Sequence, residues 1–115
     1  MEEFRYYCLP KKGVTESFPF NETTLVFKVM GKMFAHIDTA DTFWINIKCL
    51  PERAVELREK YSCVTPGYHM NKIHWNSVLI DGSVSESLLK EWIDHSYDLI
   101  VAGLPKKIQS ELFSS

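Results

Sequence analysis

The chain has 115 residues, of which 45% are hydrophobic and 13% aromatic, and this is enough for one domain with a buried core. Its formal net charge of −2 argues against strong non-specific binding to a polyanion, so any contact with nucleic acid must come from a local basic patch. The sequence predicts a single cytoplasmic domain over residues 1–115, without a membrane span. Its apolar runs are short, its start lacks the basic residues of a signal peptide, and its three cysteines lack the spacing of a disulfide framework.

The first elements predicted along the chain are a short helix and a hairpin. Apolar side chains recur on one side of residues 2–9 and Pro10 closes the segment, which indicates a helix. Residues 24–30 and 33–38 are rich in β-forming side chains. The Gly31-Lys32 pair between them is typical of a type II′ turn, so the two segments are predicted to form a hairpin.

This hairpin is expected to carry lysines at its tip. With Met30 opposite Met33, Lys28 is placed across from Ala35. Lys28 and the turn residue Lys32 then form a basic hairpin tip.

The next segment, residues 43–48, alternates between two faces. One face carries Phe43, Ile45 and Ile47, and the other carries Trp44, Asn46 and Lys48. With the hairpin, this segment makes a three-stranded meander. Trp44 would serve either as a stacking platform for a base or, as is commoner for an aromatic side chain on a strand, as part of the packing.

Two helices and a fourth strand complete the predicted elements. Pro51 suits the first turn of a helix over residues 52–61, and a strand is predicted over residues 72–80. Ser83, with a glutamate three residues later, resembles a capping box before a helix over residues 85–102.

The stretch of residues 68–76 is the most informative in the chain, because it gathers two histidines, a lysine, two aromatic side chains and two amides. In an extended segment, Lys72, His74 and Asn76 project to the same face. That face is a cationic, hydrogen-bonding stripe, which suits an anionic or nucleic-acid partner.

The opposite face of this stretch carries Ile73 and Trp75, and we expect Trp75 to be largely buried. The stretch also fits an ordinary edge strand with polar residues outward, in which Lys72 only discourages aggregation. The sequence leaves both interpretations open.

The residues favour neither a metal site nor an enzyme. His69 and His74 are five residues apart, so neither a strand nor a helix brings both to one ion. Asp94-His95-Ser96 are neighbours on a predicted helix, where adjacent side chains point about 100° apart and cannot form a relay. We expect Ser96 and Tyr97 to bridge this helix to the sheet instead. The chain contains no nucleophile elbow, Gly-rich phosphate loop or zinc-protease helix, so we expect no catalytic residue and no cofactor.

Several long motifs, taken in order, closely resemble those of the MmcQ/YjbR family: Glu16-Ser17-Phe18-Pro19-Phe20, Phe27-Lys28-Val29-Met30-Gly31-Lys32-Met33-Phe34-Ala35, Ile45-Asn46-Ile47-Lys48-Cys49, Pro66-Gly67-Tyr68-His69-Met70-Asn71-Lys72-Ile73-His74-Trp75-Asn76 and Asp94-His95-Ser96-Tyr97-Asp98-Leu99-Ile100. The resemblance covers nearly the whole chain. It implies a compact α+β fold like that of bacterial frataxin (CyaY-like) and DNA binding through a "double wing" of β-hairpins. This DNA-binding role is itself an inference from fold.

The chain departs from these relatives at two places. Family members often carry Asp just before the Pro-Glu of the middle helix, where this chain has Leu50, so a side-chain cap is lost. The acidic ridge of frataxins is reduced to Glu2 and Glu3 on the first helix, so we do not expect iron delivery.

Two functions of different classes follow. The first is a nucleic-acid-binding module, and the second is a non-enzymatic module that binds a small anionic ligand or a protein partner through the same polar cluster. The candidate residues are Lys28, Lys32, Lys48, His69, Asn71, Lys72, His74, Trp75 and Asn76. The expected architecture is one monomeric α+β domain in which helices near both termini pack on one side of an antiparallel sheet.

Overall fold

The computed structural model describes residues 2–18, 22–38, 44–67 and 71–114. The helices in these ranges are α1 (Glu2–Cys8), α2 (Pro51–Lys60), α3 (Glu86–Ala102) and α4 (Lys106–Ser114). The strands are β1 (Val14–Ser17), β2 (Thr24–Val29), β3 (Lys32–Asp38), β4 (Trp44–Lys48), β5 (Val64–Pro66) and β6 (Trp75–Leu79). The strands form one antiparallel sheet in the order β1-β2-β3-β4-β6-β5, and the single-domain α+β class is confirmed.

The sheet has two faces with different roles. Residues opposite each other in an antiparallel pair share a face, so the register assigns each side chain to a side. The first face is apolar and shares one core with buried side chains of α1, α2 and α3; it includes Leu25, Phe27, Ala35, Ile37, Ile45, Ile47, Val64 and Val78. The second face carries the alternate residues of the same strands, among them Lys28, His36, Asn46, Lys48 and Ser77.

Helix α3 is fixed to the middle of the sheet by Ser96. The Ser96 hydroxyl accepts a hydrogen bond from the backbone N–H of Lys48 at 2.9 Å and donates one to the Phe34 carbonyl at 2.6 Å. Beside it, the Tyr97 ring meets the Phe34 ring edge-on at 5.5 Å, and the Tyr97 hydroxyl donates to the Lys12 carbonyl at 2.6 Å. The predicted role of Ser96 and Tyr97 as bridges from helix to sheet is therefore confirmed.

Helix α1 packs beside α3 on the same face. Its Phe4 ring lies 6.2 Å from the Phe27 ring of β2. The Tyr7 hydroxyl donates to the Asp94 carboxylate at 2.6 Å, and Nζ of Lys11 forms an ion pair with the same carboxylate at 2.5 Å. Helices near both ends of the chain thus cover one side of the sheet, as the sequence predicts.

The predicted hairpin exists, but its loop lies one residue earlier than predicted, which shifts the pairing next to the loop by two residues. The two-residue loop is Met30-Gly31, with φ of 49° and 85°, and Val29 pairs with Lys32. Two successive positive φ values are the geometry of a type I′ turn, whose twist matches that of the strands. With this loop, Lys28 lies opposite Met33 rather than Ala35, and a bulge beyond Lys28 brings Phe27 opposite Ala35.

The strand predicted over residues 72–80 was too long, because residues 71–74 form a turn and β6 begins at Trp75. The sequence prediction missed the two edge strands, β1 and β5, and placed only a frayed turn where α4 forms. The N-cap of α3 is Ser85, which accepts from the N–H of Leu88, rather than Ser83. Leu50 at the start of α2 makes no side-chain cap, as expected from the missing Asp.

Candidate functional site

All four candidate lysines gather at one end of the sheet. Strand β3 begins at Lys32 and β4 ends at Lys48, and because these strands are antiparallel the two residues lie toward the same end. Strand β6 begins at Trp75, directly opposite Lys48, and Lys72 lies in the turn just before it. Lys28 lies next to the tip of the β2–β3 hairpin. We call this the lysine end, defined by Lys28, Lys32, Lys48 and Lys72.

Two of these lysines share the second face of the sheet. Lys28 lies on β2 and Lys48 on β4, with β3 between them, so their backbones are roughly 10 Å apart by the spacing of strands. Among the strand residues described on this face, the one carboxylate is that of Asp38, at the opposite end of β3. The lysine side of this face is therefore cationic in a chain whose net charge is negative.

The turn of residues 71–74 is held by hydrogen bonds rather than left loose. The side-chain oxygen of Asn71 accepts from the Ile73 N–H at 2.8 Å, and the Asn71 carbonyl accepts from the Trp75 N–H at 2.9 Å. The Arg58 guanidinium of α2 donates to the Lys72 carbonyl. Asn71 therefore shapes the turn with its oxygen, and the exposed Lys72 is presented from a fixed backbone.

His74 belongs to the same turn, where its carbonyl accepts from the Cys49 N–H at 2.7 Å. Its side chain is partly buried. His69 lies outside the described residues, so its prediction is not resolved.

The predicted stripe of Lys72, His74 and Asn76 was wrong, because residues 71–74 are not extended. Asn76 is only 1% exposed and points to the first face, where its side-chain oxygen accepts from Nε of Arg58 at 2.7 Å. Its amide nitrogen donates to the Ala54 carbonyl at 3.3 Å. Asn76 therefore anchors α2 to the sheet and cannot contact a partner.

Trp75 is buried, as predicted, with 7% of its surface exposed, and its ring centre lies 6.0 Å from that of His36 on the second face. Trp75 was also named as a candidate binding residue, but a ring with so little free surface cannot stack on a base. The backbone of Gly67 passes so close that a Cβ there would lie 2.7 Å from the Cβ of Trp75. Ile73, expected beside Trp75, is instead 62% exposed on the turn.

A polar row crosses the middle of the second face, and sequence reasoning did not single it out as a group. His36, Asn46 and Ser77 are neighbours on β3, β4 and β6, and the Ser77 hydroxyl donates to the side-chain oxygen of Asn46. Among the described residues, Nε2 of His36 has no hydrogen-bond partner. Burial lowers the pKa of His36 to about 4, so at neutral pH this row adds no positive charge to the lysine end.

Among the described residues, the metal-ligating side-chain types do not cluster, and two other polar side chains are engaged within the fold. Within residues 2–18, 22–38, 44–67 and 71–114, no group of three or more His, Cys, Asp or Glu side chains could hold a metal ion. Asp94 is engaged by α1, and Ser96 is engaged by the backbone of the sheet. None of the helices in the described part of the chain is long and apolar enough to cross a membrane.

Comparison with known proteins finds relatives of this chain in sequence. The model of the YjbR family matches residues 9–99. The protein YjbR of Escherichia coli K12 is 32% identical over 108 residues, which cover 93% of this chain and 92% of that protein. The protein YbdF of Escherichia coli O157:H7 is 38% identical over 96 residues, which cover 83% of this chain and 79% of that protein.

Two solved structures share the fold. The crystal structure of the Deinococcus radiodurans protein DR2400, described as a DUF419 domain, superposes with a TM-score of 0.90 at 38% identity and covers 96% of this chain and 86% of its own. A protein from Pseudomonas syringae superposes with a TM-score of 0.72 at 26% identity and covers 85% of this chain and 96% of its own. The match of sequence and fold over nearly the full length means that this chain belongs to the YjbR family.

Proposed function

We propose that this protein is a non-enzymatic, monomeric nucleic-acid-binding module whose lysine end contacts the phosphate backbone. The observation that carries the proposal is the gathering of Lys28, Lys32, Lys48 and Lys72 at one end of the sheet, two of them on the second face. Lysine ammonium groups supply charge to phosphates without reading sequence. The resemblance to DNA-binding "double wing" proteins points in the same direction.

The structure narrows the proposed mode of binding. Asn76 and Trp75 are buried and are withdrawn as candidates, and the exposed Asn71 uses its side-chain oxygen within its own turn. What remains is a small set of cations in a chain of net charge −2. Binding of this kind is weak, depends steeply on salt and has little preference for base sequence.

The test is fluorescence anisotropy with a labelled DNA duplex at several salt concentrations. The parent should bind at low salt, with a log–log slope of about −0.9 per neutralised phosphate. The double variant Lys28→Ala/Lys48→Ala should bind more weakly, and its slope should be shallower by roughly two units. Adding Lys72→Ala should reduce the slope by roughly one further unit.

A matched control separates the lysine end from net charge. Nζ of Lys60 lies over the ring of Tyr61, which packs against Trp92 of α3. Nζ of Lys90 lies over the ring of Tyr7 of α1, so neither lysine belongs to the lysine end. The variant Lys60→Ala/Lys90→Ala changes the net charge by the same amount as the test variant and should keep the parent's slope. Absence of binding at low salt, or equal losses in the two double variants, would remove the nucleic-acid proposal for this end.

One observation favours a second candidate, a protein partner. Ile73 is 62% exposed and Leu50 is 50% exposed. Each adjoins a member of the hydrogen-bonded pair Cys49 and His74, so the two apolar side chains flank the same corner beside Lys72. Exposed apolar side chains next to cations suit an acidic protein surface. Failure of the DNA titration would leave this candidate and that of a small anionic ligand.

A further inference from the structure

A groove of about 220 Å³ lies at the end of the sheet opposite the lysine end. It is bounded by α1, by the last residues of β6 and by the first turns of α3. Its apolar lining includes Phe4, Val78, Ile80, Val84, Leu89 and Ile93. Strand β6 runs from the lysine end to this groove, so the two regions share no side chain.

The groove is a gap in the packing, and the residues at its base belong to the main core. Phe4, Val78 and Ile93 are buried and belong to the main core, whereas Val84 and Leu89 are only partly buried at the walls. Apolar atoms that face such a gap lack contact partners, and a guest that fills it restores those contacts. An apolar cavity of about 150 Å³ accepts benzene, so the larger volume here matches a two-ring aromatic compound.

The rim of the groove carries one positive and one negative group. Nζ of Lys90 lies 3.3 Å from the Glu86 carboxylate and 5.2 Å from the centre of the Tyr7 ring. The pKa of Tyr7 is raised to about 12, first by burial and then by its hydrogen bond to Asp94, so its hydroxyl stays protonated and its proton is already donated. Because the charges of Lys90 and Glu86 balance, the rim favours an uncharged guest over an anion.

We propose that this groove is a binding site for a small, uncharged, bicyclic aromatic compound that carries one N–H group. The ring system packs among Phe4, Leu89 and Ile93, and the N–H donates to the Glu86 carboxylate. The Lys90 ammonium, which already lies over the Tyr7 ring, contacts the face of the guest. This site does not depend on nucleic-acid binding.

The experiment titrates indole into the full chain and records both heat and backbone amide shifts by nuclear magnetic resonance. A guest of this size in a partly open groove should bind with a Kd of about 0.1–1 mM. The shifted amides should be those around Leu89, Lys90 and Ile93. Indole-5-carboxylate, which keeps both rings and the N–H and adds a negative charge, should bind at least fivefold more weakly, by roughly 1 kcal/mol.

Two variants with the same added bulk test the location. Val84→Phe places a ring in the groove and should weaken indole binding at least tenfold. Ser87→Phe adds the same ring at an exposed position of α3 outside the groove, and this variant should bind indole like the parent. Lys90→Met keeps the length of the side chain and removes the ammonium, and should weaken binding about threefold, so the proposal is testable even if Val84→Phe does not fold.

The proposal is overturned by any of three results. These are no saturable shift of the parent up to the solubility limit of indole, shifts that map away from α1 and α3, or indole-5-carboxylate binding as tight as indole binding. Unchanged affinity in a folded Val84→Phe, or in Lys90→Met where Val84→Phe does not fold, would equally overturn it. The readouts involve no DNA, so failure here is distinguishable from failure of the proposed function.

Discussion

Trp75 and Asn76 are neighbours in the chain and occupy opposite faces of the sheet, and both are buried. Side chains alternate along a strand from the residue at which the strand begins. Because the turn of residues 71–74 delays that beginning to Trp75, Asn76 faces inward and its amide is bonded to α2. The end of this turn therefore determines whether the Asn76 side chain is free to contact a base or anchors α2.

Replacement of Trp75 by Ala should cost about 3–5 kcal/mol of unfolding free energy, the usual range for a buried aromatic side chain. The ring fills space against His36, and its loss leaves a cavity on the second face. Urea denaturation measures the change. Trp44→Ala, on the same face but only partly buried, should cost less. A Trp75→Ala variant that melts within a degree or two of the parent would mean that the ring does not pack as described.

Helix α3 depends on one buried hydroxyl for its position on the sheet. Ser96 is fully buried and joins the Phe34 carbonyl of β3 to the Lys48 N–H of β4, beside the bulge in the pairing of β2 with β3. A serine in a helix usually bonds to its own backbone or to solvent. Here its two bonds set the height and rotation of α3, and through the Tyr7–Asp94 contact they also set the place of α1.

Replacement of Ser96 by Ala should destabilise the protein by about 1–3 kcal/mol, because the Phe34 carbonyl and the Lys48 N–H lose a buried partner. Ser87→Ala, on an exposed position of the same helix, should change the unfolding free energy by less than about 0.5 kcal/mol. Thermal or urea unfolding of the two variants is the measurement. Equal stability of both would show that Ser96 is not the anchor of α3.

Periodicity located the meander and the two long helices, because these elements bury whole apolar faces. It did not locate β1 and β5, which have four and three residues, the second ending at Pro66. Such short edge strands owe their structure to the neighbouring strand rather than to their own sequence. The sequence also did not predict the register of the β2–β3 hairpin, because Met30 adopts a positive φ that its residue type does not favour.

In the whole molecule, the lysine end and the apolar groove lie at opposite ends of the strands. Lysines cluster at one end, and the apolar groove lies at the other. The sequence could name Lys28, Lys48 and Lys72 as candidates, but their convergence depends on strand order and on the turn before β6. The groove gave no signal in the sequence, because its lining comes from three separate segments that only folding brings together.

Acid should destabilise the folded domain before its carboxylates titrate fully, because the fold buries His36 in its neutral form. Desolvation lowers the pKa of His36 from 6.5 to about 4, an effect that the nearby Asp38 carboxylate partly opposes. Below pH 6.5 the unfolded chain takes up a proton that the folded chain excludes, so the free energy of unfolding falls as pH falls through the window from 6.5 to 4. The full shift corresponds to about 3 kcal/mol.

The measurement is urea denaturation of the parent and of His36→Gln at pH values from 7 to 4. His36→Gln keeps a polar side chain without a titrating ring, so its stability should fall less than that of the parent across this window. The partly buried side chain of His95, whose pKa is also lowered by desolvation and by Arg53, contributes in the same direction and is common to both proteins. The difference between the two curves therefore isolates His36. Parallel curves for parent and variant would mean that His36 already accepts a proton in the folded state, and that the second face is more open to water than its burial indicates.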